Sequence, residues 1–233
     1  MRSPKRSFAL PADAVAPAGG RVLTVGVEPN SALFVLLAAQ AQSACAAAQT
    51  LDTLLGDPGR SLLYLRVLAQ IERDADVVAQ RLEETTATAL PDAPDTADID
   101  GLTTQIAGII GSIGCAASRA DASRLPKTHP ELQSLVALLI VCTQQTRELM
   151  HALPHHSNRE TLALRVAGIH LLRRRSEKVY RQAVTRLCAE ESIDARLLAL
   201  SREVYERIEE AIARCEAVAG SVEHLMTRYT HYH

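Results

Sequence analysis

Apolar residues recur at helical spacing along most of the chain from Ser31 onwards. In one long segment they advance by steps of three and four: Leu68, Ile71, Ala75, Val78 and Leu82. The last segment does the same, with Val204, Ile208, Ala211, Cys215, Val218, Val222 and Leu225. This spacing places the apolar side chains on one face of an α-helix. The pattern therefore predicts an all-α fold of packed helices.

Proline and glycine residues mark four of the five breaks that divide this pattern into six helices. We expect helices over residues 31–55, 61–89, from 98 onwards, 131–152, 158–189 and 193–226. The breaks coincide with Gly56-Asp57-Pro58-Gly59, with Pro91 and Pro94, with Pro126 and Pro130, and with Pro154, and these residue types end helices. Residues 1–29 are rich in Pro, Ala and Gly, which predicts a flexible N-terminal tail.

The six helices form two similar sets of three. The first set covers residues 30–126 and the second covers 127–233. Glu72 and Arg173 each follow an apolar position on a long helix, at an offset of 101 residues (173 − 72). Ala107 and Glu209 do the same on the following helices, at an offset of 102 residues (209 − 107). This shared register indicates an internal duplication, with two pseudo-repeated three-helix halves in one domain.

Composition and charge exclude several classes of protein. Only 3% of the residues are aromatic and none is Trp, which favours close helix packing over a β-sandwich or barrel. The net charge of −2 argues against nucleic-acid binding, and the adjacent Arg173, Arg174 and Arg175 point in different directions on a helix. No segment reaches the length of an uncharged membrane span, although residues 31–51 come closest. We therefore expect a cytoplasmic protein.

Five cysteines are scattered through the helices, namely Cys45, Cys115, Cys142, Cys188 and Cys215. None has CxxC spacing, so we expect reduced, buried thiols rather than a metal-thiolate site. The third helix is rich in glycine, including Gly108, Gly111 and Gly114. Because glycine lowers helix propensity, we expect these residues to permit close contact between helices.

Glu72 and Asp76 are the main candidates for chemistry. Four residues apart, they lie on one face of a helix and could hold a divalent or ferric ion in an oxygen site. The alternative is a solvated acidic edge. His170 could approach Glu209 or Glu177, although a satisfied or solvent-facing histidine is the favoured interpretation. No nucleophile, phosphate-binding or metalloprotease motif is present. The sequence therefore predicts no enzyme activity.

Several segments resemble the PhoU-like family of phosphate-transport accessory proteins. The stretch Ile71-Glu72-Arg73-Asp74-Ala75-Asp76 is similar to the E-x-x-A-D motif of that family. The segment from Asp98 to Leu102 resembles the start of the next family helix, and residues 205–219 resemble the last one. The resemblance covers residues 31–228 and is closest to the "Pit accessory" branch, found beside low-affinity phosphate transporters. It implies a helical bundle with metal clusters on these motifs.

The chain departs from the family pattern at most of the implied metal positions. Ala107, Gly111 and Ala213 replace expected acids, and only Glu177 and Glu209 remain acidic in the second half. Arg173 also replaces an acid, so this cation would take the place of a metal ion and pair with Glu177 or Glu209. We therefore expect a degenerate site that binds metal weakly or not at all, with Glu72 and Asp76 as the residual ligands.

The resemblance implies a cytoplasmic accessory or regulatory protein of inorganic phosphate transport. Its partner would be a membrane phosphate transporter or a sensor kinase, contacted at the inner face of the membrane. Two alternatives stay open. One is a metal-binding helical bundle that uses Glu72 and Asp76, and the other is a non-catalytic scaffold that forms a homodimer through the glycine-rich third helix.

Overall fold

The computed structural model describes residues 32–89, 95–123, 130–154, 159–189 and 194–228. These ranges contain six α-helices and one 3₁₀ turn, and no strand occurs within them. The α-helices are α1 (Ala32–Gly56), α2 (Ser61–Ala89), α3 (Asp95–Ser123), α4 (Pro130–Ala152), α5 (Arg159–Ala189) and α6 (Ala195–Arg228). The predicted all-α, six-helix fold is confirmed. The predicted tail, residues 1–29, lies outside the described ranges.

The helix ends follow the local sequence. Gly56 closes α1, and a 3₁₀ turn over Pro58–Arg60 leads directly into α2. Pro130 was expected to lie in a linker, but it is the first residue of α4. Proline is well suited to that position, because the first backbone N–H of a helix has no partner within the helix and proline lacks it. Similarly, α3 begins at Asp95, three residues before the expected start at Asp98.

Four helices form a central ring, and two flank it. Helix α1 contacts α3 and α4, and α6 contacts the same two helices, with the α3–α6 interface the most extensive. Helix α2 packs on α1 and α3, whereas α5 packs on α4 and α6. Exchanging α1 with α4, α2 with α5 and α3 with α6 leaves this set of contacts unchanged. That is the arrangement expected of two repeated three-helix halves. The division of the chain at residue 126 stays a prediction.

Two central helices have the length and composition of membrane spans, namely Ala32–Gly56 and Ala97–Ser123. This differs from the expectation that no segment would be long and apolar enough to span a membrane. In the structure, 56% and 50% of the respective apolar windows are buried inside the bundle. Helix α1 is surrounded by three other helices, and its buried Gln40 donates a hydrogen bond to the backbone oxygen of Thr103 on α3, at 3.3 Å. Both helices are therefore central elements of the packed core.

The glycines of α3 accommodate side chains from neighbouring helices. A Cβ atom at Gly108 would lie 2.4 Å from Nη1 of Arg214, a residue of α6. A Cβ at Gly111 or Gly114 would lie 3.9 or 3.8 Å from the carboxylate of Glu72 on α2. The glycines therefore permit close contact between helices, as expected, and the contact is made by side chains of α2 and α6 that lie against α3.

This arrangement predicts that alanine substitution has different effects on stability at two glycines of α3. Gly101 has no neighbouring atom within 4 Å of an added Cβ, so Gly101→Ala should raise the free energy of unfolding by about 0.8 kcal/mol through helix propensity. Gly108→Ala should lose this gain, because the added methyl group displaces the Arg214 side chain. Urea denaturation of both variants measures the difference. An equal gain at the two positions would show that Arg214 does not occupy the Gly108 surface.

Three of the five cysteines are buried, and two are not. Cys45, Cys142 and Cys215 lie in the core, but Cys115 and Cys188 are exposed. The expectation of five buried thiols was therefore wrong for these two. Burial raises the pKa of Cys45, and a hydrogen bond with Cys215 together with burial raises the pKa of Cys142. Both of these thiols therefore stay protonated and unreactive at neutral pH.

Candidate functional site

In the second half of the molecule, Arg173 of α5 joins three carboxylates. Its guanidinium group pairs with Glu209 of α6, and its Nη2 atom lies 3.2 Å from Oε1 of Glu177. Its Nε atom lies 3.3 Å from Oε2 of Glu216, an ion pair by distance whose geometry does not make a hydrogen bond. The side chains of Arg173 and Glu209 are each only 16% exposed. The pairs expected with Glu177 and Glu209 are thus both present.

His170 extends this network along α6. Its Nδ1 atom lies 2.9 Å from Oε1 of Glu216, and its Nε2 atom lies 3.7 Å from Oε2 of Glu223. A satisfied side chain was the favoured interpretation, but its partners are Glu216 and Glu223 rather than Glu209 or Glu177. The reason is geometric, since His170 precedes Arg173 by almost one turn of α5 and therefore meets a different turn of α6. We call the set His170, Arg173, Glu177, Glu209, Glu216 and Glu223 the α5–α6 network.

In the first half, the equivalent edge is open. Glu72 and Asp76 lie on α2 and are both exposed, and neither has a hydrogen-bond or ion-pair partner among the described residues. The carboxylate of Glu72 points towards Gly111 and Gly114 on α3. It lines a cleft of about 520 Å³ between α2, α3 and α6, together with Cys115, Arg119 and Arg207.

The cleft forms where small residues occupy three of the six positions equivalent to the α5–α6 network. Offsets of 101 and 102 residues relate His170 to Ala69, Glu209 to Ala107 and Glu216 to Gly114. Ala69 and Gly114 line the cleft, and neither has a side chain long enough to reach Glu72. The two halves therefore use the same backbone framework for different purposes. One half carries a filled network of paired charges, and the other carries an open acidic edge.

The described residues do not fit a metal cluster. No three His, Cys, Asp or Glu side chains among them are gathered closely enough to hold an ion. Opposite Glu72, the family's expected acids are Ala107 and Gly111, which offer no ligand atoms. In the second half, the guanidinium group of Arg173 already lies among the carboxylates of Glu177, Glu209 and Glu216. The residual site at Glu72 and Asp76 stays a prediction.

Sequence reasoning missed two members of the network, Glu223 and the more central Glu216. The family motif draws attention to Glu209 and Ala213, which precede both of them on α6. A helical signal was nevertheless available, because Glu216 lies seven residues after Glu209, two turns further along the same face. The adjacent Arg174 and Arg175 are exposed and do not join the network. This agrees with the expectation that the three arginines point in different directions.

Comparison with known proteins supports the fold. No protein-family model matches the sequence, and no curated protein matches it significantly. Among solved structures, the chain is similar to a PhoU-like protein from Shewanella oneidensis MR-1, with a TM-score of 0.71 and 15% sequence identity. The match covers 84% of this chain and 100% of that chain. The fold is therefore PhoU-like, as the sequence resemblance implied.

Proposed function

We propose that this protein is a non-catalytic accessory or regulatory protein of inorganic phosphate transport. It acts in the cytoplasm by contact with a membrane phosphate transporter or its sensor kinase, as in the "Pit accessory" branch of the PhoU-like family. The observation that carries the proposal is the PhoU-like fold over 84% of the chain. This inference from fold to function rests on analogy with the family.

The α5–α6 network gives the proposal its second support. Arg173 is paired with carboxylates at a position where the family motif implies a metal ligand. Carboxylates that already pair with a guanidinium group are less available as ligands for metal-assisted chemistry. The structural role of this region is then to stiffen the contact between α5 and α6, which leaves the outer helix surfaces for a partner.

Co-purification tests this proposal directly. The tagged protein is purified from detergent-solubilised membranes of its source organism grown under low and high phosphate, and the eluate is identified by mass spectrometry. We expect a phosphate transporter or a phosphate-responsive sensor kinase, and reciprocal capture with that tagged partner should recover this protein. Recovery of the protein alone under both growth conditions would contradict the proposal.

A metal-binding function is the second candidate, because Glu72 faces a cleft and has no described partner. Under our proposal, the purified protein incubated with Mn²⁺, Fe³⁺ or Zn²⁺ and then desalted should retain less than one ion per chain. If an ion is retained, the double variant Glu72→Gln/Asp76→Asn should abolish its binding. Metal content by plasma mass spectrometry measures both. Full retention in the double variant would place the ion elsewhere in the protein.

A further inference from the structure

The outer surface of α5 carries two large apolar side chains that contact little of the protein. Leu164 is 68% exposed and Leu171 is 57% exposed. They lie seven residues apart, so they occupy the same side of the helix two turns apart. Ala167 lies between them and is also exposed. The first half of this helix therefore presents a short apolar row to solvent.

A cluster of cations continues the same surface. Arg174, Arg175, Lys178 and Arg181 are all exposed, and none forms an ion pair with a described carboxylate. Lys178 lies seven residues after Leu171, and Arg175 lies four residues after it, so the cations follow the leucines along one face. From Leu164 to Arg181 the surface is roughly 26 Å long at the helical rise per residue. We call these residues the α5 outer face.

The charge of this face is specific to α5. On α2, Leu63 is equivalent to Leu164 and is also exposed, at 54%. Of the α2 positions equivalent to the four cations, only Arg73 carries a positive charge, and the other three are Asp74, Val77 and Gln80. The leucine is thus shared by the two flanking helices, but the cation cluster is not. In a chain with a net charge of −2, four cations without partner carboxylates on one helix face form a distinct positive surface.

We propose that the α5 outer face binds the surface of an anionic phospholipid bilayer. Leu164 and Leu171 would enter the headgroup region, and the four cations would pair with lipid phosphates. Exposed leucines beside arginine and lysine are the two components of reversible binding to anionic membranes.

A bilayer fits this face better than a folded partner does. The cations are spread over two turns, and a fluid lipid surface supplies a phosphate wherever each one lies. A protein would need acidic groups fixed at matching positions. Because α5 flanks the bundle, a planar surface can reach this face along its length. The inference goes beyond the proposed transporter contact and does not depend on it, since the expected ligand is lipid alone.

Vesicle sedimentation tests the inference without any membrane protein. The full chain is mixed with phosphatidylcholine vesicles that contain about one third phosphatidylglycerol, and with phosphatidylcholine vesicles alone. We expect binding to the anionic vesicles only, and weaker binding at high salt because screening reduces attraction between exposed charges. Absence of binding to the anionic vesicles at low salt would overturn the inference.

Charge-matched variants locate the binding surface. Arg174→Gln/Arg175→Gln/Lys178→Gln should weaken vesicle binding by about 100-fold or more, given the contribution of each cation near an anionic surface. The control is Arg66→Gln/Arg73→Gln/Arg81→Gln on α2, which changes the net charge equally and should retain most of the binding. Circular dichroism verifies that both are folded. An equal loss in the two variants would show that only total charge matters, which would refute a specific face.

Two further experiments test the role of the exposed leucines and the alternative that this face binds a second copy of the chain. Leu164→Ser/Leu171→Ser should reduce binding even though it leaves the charge unchanged, whereas Leu63→Ser on α2 should not. Light scattering of the wild-type chain and the three-cation variant tests self-association. If the chain fails to bind vesicles but forms oligomers that the variant loses, then the α5 outer face binds a second copy and the lipid inference is wrong.

Discussion

Replacing Arg173 with methionine is expected to lower the free energy of unfolding by about 3 kcal/mol. The substitution keeps much of the side-chain volume but removes the cation that lies among Glu177, Glu209 and Glu216. Glu209 is only 16% exposed, so its carboxylate would be left without a counter-charge in a place that water reaches poorly. Urea denaturation followed by circular dichroism measures the loss.

Two further variants separate this explanation from a general effect of charge. Glu72→Gln alters the equivalent position of the first half, where the side chain has no described partner, and should change stability by less than about 0.5 kcal/mol. Arg173→Met/Glu209→Leu removes both members of the most buried pair and should recover part of the stability. If Arg173→Met and Glu72→Gln have equal effects, the α5–α6 network does not stabilise the fold.

Ile208→Ala is expected to cost about 3 kcal/mol of folding free energy. Ile208 is completely buried on α6, the helix with the most extensive contact to α3. Removing its side chain beyond Cβ leaves a cavity between two central helices, which cannot close without moving both of them. The midpoint of urea denaturation should fall while the slope of the transition stays unchanged, since the same surface is exposed on unfolding.

The position equivalent to Ile208 provides a replicate, and an exposed position provides the control. Ile106 on α3 is also completely buried, and Ile106→Ala should cost a similar amount. Leu171→Ala shortens an exposed side chain of α5 and should change stability by less than about 0.5 kcal/mol. A small loss at Ile208 with a large loss at Leu171 would contradict the assignment of the α3–α6 contact as the core.

The fold was largely predictable because its signals are local. Apolar steps of three and four identify the buried face of a helix, and four of the five breaks contain proline or glycine. The exposure of Cys115 was harder to predict, since this residue lies between the apolar neighbours Ile113 and Ala116. Its phase on α3 nevertheless differs from that of the buried positions Ile109, Ile113 and Ala116. The helical period of the apolar positions, rather than the polarity of the adjacent residues, was therefore the informative signal for the exposure of Cys115.

The candidate site was only partly predictable, because its geometry depends on contacts between helices. The resemblance to the family motifs placed Arg173 beside Glu177 or Glu209, and both pairs are present. The pairing of His170 with Glu216 depends on how α5 and α6 are aligned along their axes, and a single sequence does not specify that alignment. The cleft at Glu72 likewise results from small residues on a neighbouring helix, whose facing positions are known only from the folded structure.

The difference between the two halves limits how many partner molecules one chain can bind. A repeat with identical faces would offer two equal binding positions, and two copies of one partner could occupy them at once. Here the leucines at positions 63 and 164 are equivalent, but the cation cluster that follows Leu164 has no counterpart after Leu63. A partner that recognises both the leucine and the charge can therefore use only one half. We expect one such partner per chain, held in a single orientation.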